Sequence, residues 1–397
     1  MSWLENEPAS RDLKNYSMQG KSAPLQARPR VLHVIDSLDL GGAQTVLLNL
    51  AKAWPRADFP LEVAAMHGEG VFAQAFRNAG IPVHSLSPHK FCPLYIWRLL
   101  RLLGKKEFTV LHCHLFGSNW IAKPLGAFCR VPLIVSHDHC NDQLRHTKKA
   151  ALLIDRITNY FSDLVIGVSK STCAFLAKYE QIGPHRLHLI HNGVDTDEFK
   201  PPTVEARAAA RQRLGIRETE FLVGGVGRLV PQKNFARWLR VLDRVRKSYP
   251  QVRGLIAGTG PREMELRTLA SELGLDDVVH FAGFVTDRAG LYAALDALLI
   301  TSDYEGLPMN VLEAMASGIP VVGSRVDGLA EILDHEIDAF LAGVENETDF
   351  VEGLARITCD EKYREELSAA GLVKVRSSFS ARTMASRILK LYSKKKT

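Results

Sequence analysis

The run Val31-Leu32-His33-Val34-Ile35, followed after a short link by Gly41-Gly42 and the helix-period stretch Ala43 to Trp54, decides the fold. The first five residues are too few for a helix and rich in β-branched types, so they read as a buried strand. The glycine pair gives the backbone a tight turn, and apolar residues at helical spacing follow. Strand, glycine turn and helix in that order mark the start of a parallel α/β sheet.

Outward from this stretch the alternation recurs. Strand candidates at about 61–66, 81–86, 109–112, 131–136, 163–168 and 187–191 complete one doubly wound domain. Asn192-Gly193-Val194-Asp195 and Phe199-Lys200-Pro201-Pro202 are dense in turn formers and mark a linker. A second alternation opens at Phe221-Leu222-Val223-Gly224-Gly225-Val226 and continues at 254–258, 278–281, 297–301, 319–323 and 339–342. The expected fold is therefore α/β, with two tandem Rossmann-like domains over 30–198 and 199–375. A flexible lead-in covers 1–29, and a C-terminal helix with a basic tail over 376–397 is expected to cross back to the first domain. In open sheets of this kind ligands bind beyond the carboxyl ends of the strands, so the residues that follow each strand carry the information.

A length of 397 residues fits two cores, and 46 % hydrophobic with 24 % charged residues is ordinary for globular protein. The net charge of +6 lies mostly in the first half, yet no helix-turn-helix, finger or aromatic-interleaved basic strand accompanies it, so nucleic acid is excluded as a partner. The 6 cysteines contain no C-x-x-C spacing and read as reduced thiols. No apolar run approaches a membrane span, and residues 1–29 lack the apolar core of a signal peptide, so a cytoplasmic location is expected. Lys394-Lys395-Lys396 reads as a solvated end.

The chemistry is expected where Glu305-Gly306-Leu307-Pro308-Met309-Asn310-Val311-Leu312-Glu313 leads to Gly318. Pro308 fits the start of a helix and Gly318 its left-handed end, which predicts a short helix over 308–317. Glu313 lies just over a turn in and should lean back toward the mouth that Glu305 precedes. Backbone N–H groups of about 306–310 point into that mouth and favour an anion. The bland alternative is a pair of carboxylates bonded to neighbouring backbone.

Arg228 and Lys233, on the loop after the first strand of the second domain, could both reach a diphosphate, Arg228 bidentately and Lys233 as a mobile point charge; otherwise they are solvated cations. Gly41-Gly42 lets backbone approach a ligand at a helix N-terminus, or simply turns the chain; it is not G-x-G-x-x-G, so the nicotinamide-dinucleotide fingerprint is absent.

His112-Cys113-His114 and His137-Asp138-His139 each put two imidazoles on one side of a strand. These could be satisfied strand-end histidines, a polar ligand contact led by His137, or a transition-metal site. Nothing fixes a closed ligand set, so no metal is expected. The stretch 94–106 places Arg98, Arg101 and Lys105 on one helical face and Ile96, Leu99, Leu100 and Leu103 on the other. That pattern fits both an anionic membrane surface and ordinary packing on the sheet.

Taken together, Gly41-Gly42, His137 in Ser-His-Asp, Gly227-Arg228-Leu229 with Lys233-Asn234, and Glu305 through Glu313 with Ala314-Met315-Ala316-Ser317-Gly318 resemble a retaining glycosyltransferase of the GT-B fold, in family 4. The resemblance covers about 30–330 and implies two domains facing across a cleft. It implies that Arg228 and Lys233 hold a donor diphosphate and Glu313 the ribose. Glu305 and His137 would serve as catalytic residues beside the transferred sugar, with the backbone of Gly306, Leu307, Pro308, Met309 and Asn310 nearby. Gly41 and Gly42 would meet the phosphate, and Phe284 and Val285 the base.

It further implies a nucleoside-diphosphate-sugar substrate with no separate cofactor. The partner would be a glycan, lipid-linked or small-molecule acceptor; peripheral contact with the inner membrane face through 94–106 is an expectation from that stretch's own pattern and not from the resemblance. Gln44, and Leu307-Pro308-Met309 in place of the commoner Phe-Gly-Leu, depart from the usual pattern. The other readings of this architecture are a sugar-nucleotide epimerase or phosphorylase, or a non-catalytic nucleotide-sugar-binding subunit.

Overall fold

The computed structural model describes residues 29–39, 41–88, 92–105, 107–139 and 149–394. The expected lead-in up to residue 28, Lys106, Cys140, and Lys395 and Lys396 of the basic tail lie outside the described residues. Among the described residues no helix is long and apolar enough to cross a membrane.

The first domain contains β1 (Val31–Ile35), β2 (Leu61–Ala65), β3 (Val83–Ser85), β4 (Val110–His114), β5 (Leu133–Asp138), β6 (Leu164–Gly167) and β7 (Leu187–Leu189). They form one parallel sheet in the order β3-β2-β1-β4-β5-β6-β7. The second contains β8 (Phe221–Val226), β9 (Val252–Ala257), β10 (Val279–Gly283), β11 (Ala297–Ile300), β12 (Val321–Ser324) and β13 (Phe340–Ala342), ordered β10-β9-β8-β11-β12-β13 and again parallel. The strand order reverses between β1 and β4 and between β8 and β11. Chain segments leaving such neighbours diverge to opposite faces, which opens a crevice at their carboxyl ends.

The tandem α/β expectation holds, with strand ends displaced by a residue or two. The displacement matters at β4 and β5. Both run past their expected ends, so His114 and His137 lie within strands rather than after them, as His112 already did. Alternation sorts the first sheet's faces: Leu32, Val34, Leu111, Cys113 and Ile134 pack under the helices Leu94–Gly104 and Phe116–Phe128, while His33, His112 and His114 point the other way. Of the cysteines, Cys92, Cys113, Cys129, Cys173 and Cys359 are free thiols.

The helix Glu361–Ser378 ends before a short break at Phe379-Ser380, and the last helix, Ala381–Lys394, packs along Gly42–Ala53 of the first domain. Ala381, Met384, Ala385, Ile388, Leu391 and Tyr392 are buried there. A bridge between Val194 and Ser380 ties the two crossings together, with Val194 N–H donating to Phe379 O and Ala381 N–H to Val194 O.

The helix Leu94–Gly104 packs through Leu99 and Leu103. Ile96, expected on its packed face, is instead exposed beside Leu94 and Trp97, and Arg101 lies over the Trp97 ring at 5.5 Å. The packed stripe is set by residues 95, 99, 102 and 103, and Ile96 falls outside that arc.

Candidate active site

Three loops after strand ends build the centre of the site. After β8, the chain passes exposed Arg228 and makes one turn at Pro231–Lys233. Asn234, left-handed at φ 46°, then caps the next helix by accepting from Arg237 N–H. After β11, Thr301 Oγ1 donates to Asn234 O at 2.9 Å, and Gln232 Nε2 donates to Tyr304 O at 2.9 Å. These bonds lock the β8 and β11 loops together, so Lys233 and Glu305 face each other on a fixed frame. Lys233 Nζ donates to Glu305 Oε1 at 2.5 Å, and Ser302 Oγ donates to the same oxygen at 2.6 Å. Lys233 is thus a held charge rather than the mobile one expected from its flexible stem. Arg228 has no side-chain partner among the described residues.

The helix after Glu305 is Met309–Ala316, with Pro308 as its extended cap and Gly318 at φ 72° closing it. Every residue of it is buried. Its register is fixed by Asn310, whose Nδ2 donates to Val226 O at 2.5 Å, the last carbonyl of β8. No side chain caps its N-terminus, and the N–H groups of Gly306, Leu307, Met309 and Asn310 make no hydrogen bond among the described residues. The turn is compact: a Cβ on Gly328 would sit 1.9 Å from Gly306 O, so only glycine fits beneath it.

Glu313 departs from expectation. It is fully buried and faces the helix Arg288–Ala294, where it pairs with the Arg288 guanidinium and accepts from Tyr292 Oη at 3.0 Å. Tyr292 Oη also reaches Asn310 O, at 3.1 Å. Leaning toward the helix start is common to all helical side chains, but the direction around the axis decides the partner, and here it is the face shared with Asn310. Burial pushes the Glu313 carboxyl up to about 7, against the pull of Arg288 and Tyr292, and its second oxygen, Oε1, has no partner among the described residues. Burial also opposes the Arg288 charge, but Glu313 and Tyr292 outweigh it and the guanidinium is held more firmly protonated.

Arg288 was not anticipated. A cation in the first turn of a helix works against the helix dipole, and that anomaly was the available signal that a carboxylate lies opposite. Arg288 also extends to Thr45 Oγ1 of the first domain, 3.5 Å away. Phe284 and Val285 follow β10 on the same edge, Phe284 exposed and neither making a backbone bond among the described residues.

From the first domain, Gly41 and Gly42 open the helix Gly42–Ala53, which has no side-chain cap. A Cβ on Gly42 would meet nothing within 4 Å, so the space beside Gly42 is open, whereas one on Gly41 would run into the Gln44 side chain, which folds back to donate to Ser37 O. The neighbouring helix Phe116–Phe128 has its first N–H groups taken instead by Asp36, from Gly117 at 3.0 Å and Ser118 at 2.5 Å. Each domain thus brings one uncapped helix start to its own crevice.

His137 stands at the carboxyl end of β5 within a stack of five imidazoles, of which His33, His112, His114 and His137 are buried and His139 half-buried. No hydrogen bond joins it to the second domain among the described residues. Burial lowers all five well below the usual range, to about 3 at His33 and about 4 at His139, so the rings are neutral near pH 7. Among the described residues two sets, His33-His112-His114 and His114-His137-His139, each bring ligand nitrogens within 4.8 Å of one another and could hold a metal.

A site of this form has pre-placed cations and backbone donors in one domain and an open helix start in the other, suited to a ligand whose phosphates carry charge and whose hydroxyls meet carboxylates. The family model described as Glycosyltransferase Family 4 matches residues 40–198, and that of Glycosyl transferases group 1 matches 206–373. The chain is 28 % identical over 317 residues to an uncharacterized glycosyltransferase of Methanocaldococcus jannaschii, covering 78 % of this chain and 81 % of the other. To an Escherichia coli galactosyltransferase, named for transfer from UDP-Gal to α-D-GlcNAc-diphosphoundecaprenol, it is 24 % identical over 307 residues, covering 74 % and 77 %. The Anabaena HepE structure in complex with UDP and glucose superposes with a TM-score of 0.83 at 22 % identity, covering 92 % of this chain and 100 % of that one. With both domains matched and the two sheets in place, the chain is a GT-B glycosyltransferase of the family 4, group 1 type.

Proposed function

We propose that this transferase moves a hexosyl group from a uridine-diphosphate sugar to a lipid-linked glycan acceptor, with the anomeric configuration kept, in the synthesis of a cell-surface polysaccharide or glycoconjugate. The observation that carries the reading is the exposed, unpartnered Arg228 beside the Lys233–Glu305 pair at the uncapped start of Met309–Ala316. The uridine part is supported by the UDP in the HepE complex and the UDP-Gal in the name of the galactosyltransferase relative, and the lipid-linked acceptor by that same name.

In this reading Arg228 binds the diphosphate and Lys233 turns from Glu305 toward it, leaving Glu305 to accept from a hydroxyl of the sugar. Gly306, Leu307, Met309 and Asn310 offer N–H groups, and Gly41 and Gly42 close on the phosphate from the first domain. Glu313 Oε1, the unpartnered oxygen, takes the ribose, Phe284 and Val285 meet the base through their backbone, and His137 lies against the sugar. As the nucleoside diphosphate leaves, the charge that develops on its phosphate is met by groups already in place, which lowers the barrier. The cations supply what a divalent ion would, so chelation should leave the rate unchanged. Attack on the same face that the diphosphate leaves retains configuration without a covalent enzyme intermediate.

In this reading the enzyme also contacts the inner face of the membrane, near its acceptor; the exposed Leu94, Ile96 and Trp97 on the helix that carries Arg98 and Arg101 support it. Thermal unfolding with uridine, guanosine and adenosine diphosphate sugars tests the donor: a uridine sugar should raise the melting temperature, because it binds only the folded chain. No shift with any uridine sugar, or turnover without release of UDP, would sink this assignment. Product analysis separates transfer from epimerisation or phosphorolysis, and NMR of the product reads the anomeric outcome.

A further inference from the structure

We propose that Tyr392, acting through His112, fixes His137 as the tautomer with its proton on Nε2, so that the first domain presents a hydrogen-bond donor to an oxygen of the bound sugar. The proposal rests on the placement of His137 beside the sugar argued above.

The five stacked imidazoles form two separate rows. One runs Tyr392 Oη to His112 Nδ1 at 2.6 Å, then His112 Nε2 to His137 Nδ1 at 3.2 Å, and ends at His137 Nε2, which has no partner. The other runs His33 Nδ1 to His114 Nε2 at 2.8 Å and His114 Nδ1 to His139 Nε2 at 2.9 Å, with both outer nitrogens, His33 Nε2 and His139 Nδ1, unpartnered. A neutral imidazole carries one proton, so each ring in a row can only donate at one nitrogen and accept at the other. Which way a row points is then decided by whatever stands at its end.

Among the described residues only the first row has such an end. Tyr392 is buried, its phenol is pushed well above its usual range by that burial, and no other acceptor reaches it among the described residues. A buried hydroxyl proton without a partner costs about 1–3 kcal/mol, so the Tyr392 O–H donates to His112 Nδ1. His112 must then carry its proton on Nε2 and donate it to His137 Nδ1. His137 is left with its proton on Nε2, the one nitrogen in the row without a partner among the described residues. Among the described residues the second row has no hydroxyl at either end to direct it, which distinguishes His137 from His139. Tyr392 and His112 are positioning residues: neither needs to touch the sugar.

This arrangement joins the C-terminal helix to the chemistry. Ala381–Lys394 belongs in sequence to the far end of the chain, yet it sets the proton position on a residue of β5. Gly41 and Gly42 offer backbone donors after β1, two strands from β5 in the sheet, and a His137 donor would add a directed one to the sugar.

The test uses full-length 15N-labelled enzyme and long-range 1H–15N correlation, which reads imidazole tautomers without reference to turnover. His137 is expected as the Nε2–H form. Tyr392→Phe keeps the ring packed against His112 and Trp54 but removes the hydroxyl. It should convert His137 to a mixture of tautomers and lower kcat about tenfold, the worth of one hydrogen bond, with the donor KM changed less than about twofold. His137 found as Nδ1–H in the wild-type enzyme would overturn the proposal, whether or not the variant folds. So would an unaltered tautomer in Tyr392→Phe, or a stoichiometric metal in the purified enzyme, since a metal would take the lone pairs that the row uses. His137→Ala with full turnover would remove the sugar contact itself, a failure distinguishable from a wrong tautomer because the spectrum is read independently.

Discussion

Glu313 shows how one side chain can set a pH dependence for the whole fold. Its carboxyl is raised by burial from an ordinary 4.5 to about 7 in the folded chain. Between those values the folded state holds a proton that the unfolded state has released, so stability falls as pH rises from about 4.5 to about 7 and stays low above. The slope from this group is at most about 1.4 kcal/mol per pH unit. Glu313→Gln removes the titration, so the fall in urea-unfolding free energy between pH 5.5 and 7.5 should flatten; an unchanged fall would assign it to another group. Arg228 and Lys233 separate in the same way. Arg228→Ala removes an exposed, unpaired cation and should change stability by less than about 0.5 kcal/mol while weakening donor binding by about 1.5–3 kcal/mol in calorimetry. Lys233→Ala strands a buried Glu305 and should cost about 3–5 kcal/mol of stability as well. Equal melting temperatures for the two variants would contradict the ion pair.

Elements were legible in the sequence where period alone decides them. The β-branched runs at Val31–Ile35 and Phe221–Val226 had no competing reading, and Pro308 and Gly318 bracketed the short helix to within a residue. What the sequence left hidden depends on strand order and on direction around a helix. The spacing of His112 and His114 put both on one side of a strand, but the stack arises because β1 and β5 are the neighbours of β4, bringing His33 and His137 into register beside them. Arg288 belongs to the same class, because nothing local tells which helix its guanidinium meets. The helix Leu94–Gly104 allows a test at this scale, since Leu99 is buried and Trp97 is 57 % exposed. Leu99→Ala should cost about 2–5 kcal/mol of stability, whereas Trp97→Ala should leave the melting curve in place and, if this face meets lipid, abolish flotation with anionic vesicles. Flotation that survives Trp97→Ala combined with Arg98→Gln and Arg101→Gln would make the helix ordinary packing.

At the scale of the molecule the two domains share one structure, because the chain crosses between them twice and its last helix is part of the first domain's core. Met384, Ala385, Ile388, Leu391 and Tyr392 pack in the same apolar cluster as Val46, Leu47, Leu50 and Trp54. Fully burying a large aliphatic or aromatic side chain contributes about 1.5–3 kcal/mol, so four such residues on one helix amount to about 6–12 kcal/mol, comparable with the whole margin of a domain. Truncation after Ser380 should therefore unfold the first domain while leaving the second, whose sheet and Lys233–Glu305 pair lie elsewhere, largely intact. Calorimetry of the full-length chain should show a first-domain transition that disappears on truncation, with limited proteolysis releasing residues near 200 onward as the surviving fragment. A truncated chain that melts like the full-length one would mean that the helix only rests on the surface, and the burial of Ile388 and Tyr392 argues against that. Because the same helix carries Tyr392, stability of the first domain and the proton position on His137 should be lost together when it is removed, but separately in Ile388→Ala and Tyr392→Phe.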